Sequence, residues 1–290
     1  MAEEKLPALI TSSSPRIGLA LGGGGARGLA HIHVMEVLDE LGLKPVAISG
    51  ASIGALMGSG YAAGMSGLDV RDYTVETLGN SSQVLAKMWS IRPTSMRDAL
   101  GFRLGQFNLE RILEAFLPRQ IPETFEELLI PFRTVATDYY GQCATLISEG
   151  PLRRAIAASA ALPALFMPVR VDGRPMIDGG VFDPIPYESL MDEADIVIGV
   201  DVVGGPEGDG THIPNRLDSL FGASQLMMQA NVALKLKIRP PHVFLRPPVN
   251  RFRVLDFLKV NEVLEATQSV REDLKVQLDR ALEAHAKRTH

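Results

Sequence analysis

A serine between two glycines is the feature of this 290-residue sequence that most directly indicates chemistry. Ser52 is the central residue of Gly50-Ala51-Ser52-Ile53-Gly54, which follows a short apolar run that begins at Val46. This Gly-x-Ser-x-Gly pattern is typical of a sharp strand-to-helix turn that exposes the serine hydroxyl as a nucleophile. Glycine is expected at positions 50 and 54 because a side chain there would collide with neighbouring backbone. The alternative is a glycine-rich turn with a helix-capping serine.

A glycine-rich loop before this turn is suited to binding an anion. The apolar run Ile17–Leu21 leads into Gly22-Gly23-Gly24-Gly25-Ala26-Arg27-Gly28, after which apolar residues recur at helical spacing. Residues 23–28 fit Gly-x-Gly-x-x-Gly, but a dinucleotide site also needs an acidic residue about 20 positions further on. The second predicted strand ends in Ser49-Gly50 instead. We therefore expect the N–H groups of the loop to face an oxyanion beside Ser52.

Asp178 is the candidate base for Ser52. It follows an apolar hairpin strand and precedes Gly179 and Gly180, so we expect it at a strand end where a small, dry pocket can form. Desolvation in such a pocket raises the pKa of a carboxyl group and makes it a better acceptor for the serine proton. A turn without a catalytic role is the alternative for Asp-Gly-Gly.

A histidine base is the competing interpretation, because α/β-hydrolases use the order Ser, Asp or Glu, His. His212 and His242 are the histidines that follow Ser52 outside the C-terminal tail, whereas His31 and His33 precede it. Ser52 also ends only the second predicted strand, and the nucleophile of that fold follows several strands. The sequence therefore favours Asp178 over a histidine.

The composition is that of an ordinary globular protein with one large core, at 46% hydrophobic and 22% charged residues. A net charge of −5 gives no basic surface for nucleic acid. Cys143 is the only cysteine, so no intrachain disulfide can form. The sequence has neither the apolar core of a signal peptide nor a run long enough to span a membrane. We expect a cytoplasmic protein, at most peripheral to the inner membrane.

Predicted helices and strands alternate along the chain, which indicates a single α/β domain with a mostly parallel sheet and helices on both faces. We expect a flexible leader over residues 1–15, a catalytic domain over 16–205, and C-terminal helices and a strand over 206–290 that pack on the same domain. The pattern predicts a hairpin over 132–148, a second one that ends at Asp178, and a single C-terminal helix over 263–286.

Residues 81–107 differ from the rest because Trp89 lies among Met, Phe and Arg residues. One interpretation is a pair of short helices that pack on the core. The other is a lid or interfacial patch, since such residues suit contact with a lipid surface.

The three motifs, at residues 23–28, 50–54 and 178–180, occur in the order found in the patatin-like phospholipase family, which this sequence resembles over roughly residues 16–205. The segment 159–168 also looks like the Ser…Pro segment that precedes the aspartate in that family. The resemblance is strongest to small, single-domain bacterial members. It implies a three-layer α/β/α fold and a Ser–Asp dyad, with Ser52 as nucleophile and Asp178 as general base.

The resemblance also assigns the supporting residues. It implies an oxyanion hole formed by backbone N–H groups of Gly23, Gly24, Gly25 and Arg27. The remaining motif glycines support the turns, namely Gly28, Gly50, Gly54, Gly179 and Gly180.

The expected function is a serine acyl hydrolase of the phospholipase, lysophospholipase or esterase type. It would cleave fatty acyl esters of lipids through an acyl-Ser52 intermediate, with no cofactor and no metal. The alternative is a lipid-binding or regulatory protein that keeps this fold with little turnover, because a fold does not fix a function.

Overall fold

The computed structural model describes residues 15–82, 84, 86, 109–211 and 213–289. The predicted leader lies almost entirely outside this range, as do His212 and most of the segment 81–107 with Trp89. The interfacial role predicted for that segment therefore stays a prediction.

The described residues contain one mixed sheet of eight strands. The strands are β1 (Ile17–Leu21), β2 (Ala47–Ala51), β3 (Phe132–Asp138), β4 (Cys143–Ile147), β5 (Val169–Val171), β6 (Arg174–Asp178), β7 (Ile196–Val200) and β8 (Val243–Leu245). Parallel pairing joins β8, β7, β1, β2 and β3 in that spatial order. Antiparallel pairing adds β4 and β6 to β3, and β5 to β6. The mostly parallel sheet is confirmed, with an antiparallel extension at one end.

Helices connect and cover these strands. In the part of the chain that the structure describes, the α-helices are α1 (His31–Glu40), α2 (Ile53–Ala62), α3 (Gly67–Leu78), α4 (Leu109–Phe116), α5 (Leu152–Ser159), α6 (Arg216–Ile238), α7 (Val260–Ala266) and α8 (Val270–Thr289). Short 3₁₀ helices cover Gly25–Ala30, Phe125–Glu127, Gly179–Val181, Tyr187–Leu190 and Phe257–Lys259. None of the described helices is both long enough and apolar enough to cross a bilayer.

Apolar residues are buried on both faces of the sheet. Leu19 and Leu21 of β1 point into the larger cluster, which also contains residues of α1, α2, α5 and α8. Ala20, between them, points to the other face and packs with Tyr187 and with Val232 of α6. Because side chains alternate along a strand, this pattern places helical layers on opposite faces. The three-layer α/β/α architecture expected from the sequence is confirmed.

The predicted hairpins are present as β3–β4 and β5–β6, but the prediction of one C-terminal helix is wrong. The chain forms α7 and α8 instead, with a break after Ala266. Thr267 is buried there, and its hydroxyl donates to the carbonyl oxygen of Val263 at 2.7 Å. Such a bond between a side chain and its own backbone competes with regular helix and bends or ends it.

The strands β2 and β6 approach each other end to end along one edge of β3. Ala51, the last residue of β2, pairs with Val135, and Asp178, the last residue of β6, pairs with Ala136. Both Val135 and Ala136 also pair with β4, so β2 and β6 must share the opposite edge. This arrangement brings the residue after β2, Ser52, next to Asp178.

We predict that Gly179→Ala disturbs this junction. A Cβ atom at Gly179 would collide with the carbonyl oxygen of Val135. The collision should lower the free energy of unfolding by about 1–3 kcal/mol and displace Asp178 from Ser52, so that the ester hydrolysis expected from the sequence should fall as well. Thermal unfolding and the hydrolysis of a short soluble ester measure the two effects.

Gly173→Ala in the same hairpin is the matched control. Gly173 has a φ of +78° and open space around it, so alanine there costs only about 1 kcal/mol of backbone strain. If the two variants lose stability and turnover equally, the end-to-end junction does not position Asp178.

Candidate active site

Ser52 occupies a strained turn between β2 and α2. Its φ and ψ are 54° and −118°, and a positive φ is rare for a residue with a side chain. A Cβ atom at Gly54 would collide with the carbonyl oxygen of Leu21, and one at Gly50 would approach the carbonyl oxygen of Gly54 to 2.6 Å. The sharp turn that the sequence predicts is therefore formed, and both flanking glycines are needed for it.

Ser159 holds the backbone of this turn. Its buried hydroxyl, at the end of α5, accepts a hydrogen bond from the backbone N–H of Ser52 at 2.9 Å. Sequence reasoning included Ser159 in the segment that resembles the patatin-like family but assigned it no role. A serine at the end of a helix gives no local sign that it will contact a turn 107 residues earlier.

Asp178 lies in direct contact with the serine. Ser52 Oγ donates to Asp178 Oδ2 at 2.7 Å, and the backbone N–H of Gly180 donates to Oδ1 at 2.8 Å. Asp178 is only 4% exposed, and this burial raises the pKa of its carboxyl group to about 6. Because burial disfavours the charged form, the carboxylate is a stronger base than an exposed aspartate. The pair can transfer the serine proton without a histidine.

The glycine-rich loop lies beside Ser52, and its N–H groups differ in their availability. The N–H of Gly23 donates to the carbonyl oxygen of Pro184 at 2.9 Å, so it is not free for an oxyanion. Among the described residues, no acceptor faces the N–H groups of Gly24 and Gly25, and both residues line the cavity that contains Ser52. A Cβ atom at either would collide with a carbonyl oxygen, of Val202 or Val254. The geometry therefore favours Gly24 and Gly25 over Gly23 for binding an anion beside Ser52, and the oxyanion hole itself, including the backbone N–H of Arg27, stays a prediction.

The Arg27 side chain ties the loop to the C-terminal part of the chain. Its guanidinium group is buried and donates to the carbonyl oxygens of Phe252 at 2.7 Å and Val203 at 2.8 Å. Burial lowers the pKa of Arg27 to about 10. One residue further, Gly28 packs on Ile53, where a Cβ atom would collide with the isoleucine side chain. The guanidinium group of Arg27 therefore holds the glycine-rich loop in place through these hydrogen bonds and is not directed at Ser52.

Three described histidines bond to backbone rather than to the serine or aspartate. His31 Nε2 lies 2.9 Å from the carbonyl oxygen of Gly22, and burial lowers its pKa to about 4. His33 Nε2 lies 2.8 Å from the carbonyl oxygen of Leu264. His242, one of the two candidates for a triad, accepts from the N–H of Val197 at 3.0 Å. No local pattern in the sequence predicts that His31 contacts the glycine-rich loop, because this contact forms only in the folded chain.

An apolar cavity of about 500 Å³ opens from the serine and aspartate. It runs between α3, α4 and α6, and apolar side chains supply most of its walls. They include Leu56, Met57, Val70, Ile112, Leu113, Phe116, Leu165, Phe166, Phe221, Met228, Leu255 and Phe257. A cavity of this size and chemistry suits a hydrocarbon chain.

The inner face of α6 carries polar residues that bond to two loops beside the site. Asn231 Nδ2 donates to the carbonyl oxygen of Phe182 at 2.5 Å, and Lys235 Nζ contacts Asp183 Oδ1 at 2.5 Å. On the other side of the helix, Gln229 Nε2 donates to the carbonyl oxygen of Gly204 at 2.7 Å. These bonds hold the loop after Asp178 and the loop after β7. Sequence reasoning missed them because polar residues in a long helix usually face solvent.

Comparison with known proteins agrees with this geometry. The structure of VipD from Legionella pneumophila matches 93% of this chain and 67% of its own length, with a TM-score of 0.51 and 16% identity, which is a similarity of fold. The sequence pattern described as patatin-like phospholipase matches residues 19–191. The chain belongs to the patatin-like phospholipase family.

The relatives in sequence are longer proteins. An NTE family protein of Mycobacterium tuberculosis is 37% identical over 198 residues, which are 68% of this chain and 52% of that protein. Patatin-like phospholipase domain-containing protein 7 of Mus musculus is 30% identical over 298 residues, covering 90% of this chain and 20% of the relative. Lysophospholipase NTE1 of Coccidioides immitis is 28% identical over 272 residues, covering 86% and 17%. The chain thus spans about half the length of the first of these relatives and a fifth or less of the other two.

We predict that Asp178→Asn is more stable than the wild type at neutral pH. The buried carboxylate has a folded-state pKa of about 6, above its unfolded value of 3.8, so ionisation destabilises the fold as the pH rises through about 6. The isosteric amide removes this cost, which is at most about 3 kcal/mol because one pKa unit corresponds to about 1.4 kcal/mol. Chemical unfolding at pH values from about 4 to about 8 measures the difference.

The gain should shrink as the pH falls through about 6 and should vanish near 4, where both carboxyl and amide are neutral. Asp192→Asn, on a side chain that is 84% exposed, serves as the control and should change stability little. An Asp178→Asn variant that is less stable than wild type at neutral pH would contradict the proposed environment of the carboxylate.

Proposed function

We propose that the protein is a serine acyl hydrolase that cleaves fatty acyl esters of lipids. Membership of the patatin-like phospholipase family supports a lipid hydrolase in general. The observation that carries the finer proposal is the hydrogen bond of 2.7 Å between Ser52 Oγ and Asp178 Oδ2 at one end of an apolar cavity. A nucleophile, a base of raised pKa and space for a hydrocarbon chain are the parts that this reaction needs.

In the proposed first half-reaction, Ser52 Oγ attacks the acyl carbonyl carbon while Asp178 accepts the serine proton. The negative charge that develops on the carbonyl oxygen is stabilised by the N–H groups of Gly24 and Gly25. Collapse of the tetrahedral intermediate breaks the ester bond, and the leaving alcohol takes the proton from Asp178.

The second half-reaction repeats these roles with water. Asp178, ionised again, accepts a proton from a water molecule that attacks the acyl-Ser52 carbonyl carbon. The oxyanion forms at Gly24 and Gly25 again, and Ser52 Oγ recovers its proton as the fatty acid is released. The acyl chain occupies the apolar cavity throughout, which stabilises the complex by about 0.8 kcal/mol for each methylene group removed from water.

We predict that Ser52→Ala reduces kcat/KM for p-nitrophenyl esters by roughly 10³-fold or more, because the nucleophile is lost. Asp178→Asn should be nearly as inactive, since the amide cannot accept the proton. The wild-type protein should prefer p-nitrophenyl esters with longer acyl chains over those with shorter ones. Initial rates with each ester, and labelling of Ser52 by an alkyl fluorophosphonate, measure these effects.

His242→Ala is the control, because His242 bonds to β7 and not to the site. It should retain turnover within about threefold. An inactive His242→Ala variant with an intact fold would argue for a triad, and a wild-type protein that fails to label would argue for a lipid-binding protein without turnover.

We predict that kcat/KM depends on an ionisation with a pKa of about 6, set by Asp178. Only the ionised carboxylate can accept the proton, so activity should fall about tenfold for each pH unit below that value and be constant above it. An ordinary aspartate would give a constant rate down to about pH 4. Rates between about pH 4 and about pH 8, for wild type and His242→Ala, should show the same inflection. Loss of the inflection in the histidine variant would contradict the assignment.

A further inference from the structure

The outer face of α6 is apolar, although a surface helix normally exposes its polar side. Among the α6 side chains that the structure describes, eleven are exposed and eight of these are apolar. The face consists of three alanines and the larger residues Leu220, Leu226, Met227, Leu234 and Ile238. Met227 and Leu234 are 68% and 58% exposed. An exposed apolar strip along most of a 23-residue helix marks a contact surface.

The contacts of the inner face fix this orientation. Asn231, Lys235 and Gln229 bond to the loops beside the active site, and Lys235 also donates to the carbonyl oxygen of Ile185 at 3.0 Å. Rotating α6 to bury its apolar residues would break these bonds and leave their partners unsatisfied, which is costly for buried polar groups. The apolar face therefore stays outward while the helix is in place.

Basic residues lie near both ends of this face. Among the described side chains of α6, the exposed charged residues are Arg216 and Lys237, which lie near the two ends of the helix and are both basic. Arg251 and Arg253 are also exposed, in a segment that reaches the start of α6 where Arg253 Nη2 lies 3.7 Å from Asp218 Oδ2.

The side of α6 opposite to this face borders the catalytic cavity. Phe221 and Met228, on the inner side of α6, line that cavity together with Ser52. Val181 and Leu255 line it too and are 39% and 48% exposed, so they mark where the cavity meets the surface.

We propose that the outer face of α6 docks on an anionic lipid bilayer. Its leucine, methionine and isoleucine side chains enter the boundary between headgroups and acyl chains, and Arg216, Lys237, Arg251 and Arg253 contact lipid phosphates. An apolar strip with basic residues at its margins has the chemistry of an interfacial helix. The choice of a bilayer as partner rests on the proposed function, since the bilayer would then contain the substrate.

Charge argues against a second copy of the chain as the partner. In a two-fold symmetric dimer both subunits contribute the same surface to the interface, so each contact occurs twice, related by the symmetry axis. Antiparallel packing of two α6 helices would bring Arg216 toward Lys237, and parallel packing would bring each toward its own copy. No exposed carboxylate among the described side chains of the helix could pair with either. Like charges then oppose each other in both arrangements.

Vesicle sedimentation tests the proposal. The whole chain with Ser52→Ala is used, so that no lipid is hydrolysed, with vesicles of phosphatidylcholine alone or of equal parts phosphatidylcholine and phosphatidylglycerol. Met227→Asp with Leu234→Asp should lower partition into the mixed vesicles by about tenfold, because two charges would enter the interface. Leu129→Asp with Val276→Asp is the matched control, with the same added charge on exposed apolar residues of other elements, and should bind as before.

The basic residues are tested separately. Arg251→Gln with Arg253→Gln should weaken binding to the mixed vesicles by about fivefold for each arginine and leave binding to pure phosphatidylcholine unchanged. Added salt should reduce the difference, because it screens exposed charges. Equal losses on both vesicle types would contradict the proposed contact with lipid phosphates.

Three results would overturn docking through α6. These are unchanged sedimentation of the Met227→Asp, Leu234→Asp variant, a lowered melting temperature, which would mean that the face packs on the chain itself, or conversion of a dimer to a monomer. With Ser52 intact, that variant should hydrolyse a short soluble ester at the wild-type rate. A wild-type protein that binds mixed vesicles through this face but hydrolyses no ester would keep the docking surface and reject the proposed function.

Discussion

The candidate site depends on one constraint of the sheet, namely that β2 and β6 share an edge of β3. They run toward each other and end opposite the neighbouring residues Val135 and Ala136. Ser52 and Asp178 are 126 residues apart in sequence, yet the register of one strand determines their separation in space. Because backbone hydrogen bonds fix that register, the contact between the serine and the aspartate does not depend on flexible loops.

This arrangement concentrates unfavourable features in a small volume, and its surroundings compensate for them. The positive φ of Ser52 costs on the order of 1–3 kcal/mol, and burial of the Asp178 carboxylate opposes its ionisation. Ser159 satisfies the N–H of Ser52, and the N–H of Gly180 satisfies one carboxylate oxygen. A strained backbone and a buried carboxyl group of raised pKa persist only where neighbouring contacts stabilise them, and such features are typical of active sites. Family membership is consistent with this pattern.

The sequence by itself determined the local elements and the residues most suited to chemistry. Hairpins, buried strands and the strand-to-helix turn at Ser52 were correctly predicted, because turn residues and side-chain periodicity are set by neighbours in the chain. Three short motifs were enough to indicate the family and the layered α/β architecture. The break between α7 and α8 was not predicted, because it follows from the burial of Thr267, and burial is not a local property.

Only the tertiary structure decided which groups face one another. In the folded chain the hydroxyl of Ser159 accepts a hydrogen bond from the N–H of Ser52, and the N–H of Gly23 donates to the carbonyl oxygen of Pro184. His31 contacts the carbonyl oxygen of Gly22 in the glycine-rich loop. The tertiary structure also turned α6 so that Asn231 and Lys235 face inward, while Met227 and Leu234 are exposed. Sequence periodicity identifies an amphipathic helix only when its polar side is the exposed side. Which side is buried depends on the hydrogen-bond partners that distant loops supply, and these exist only once the chain has folded.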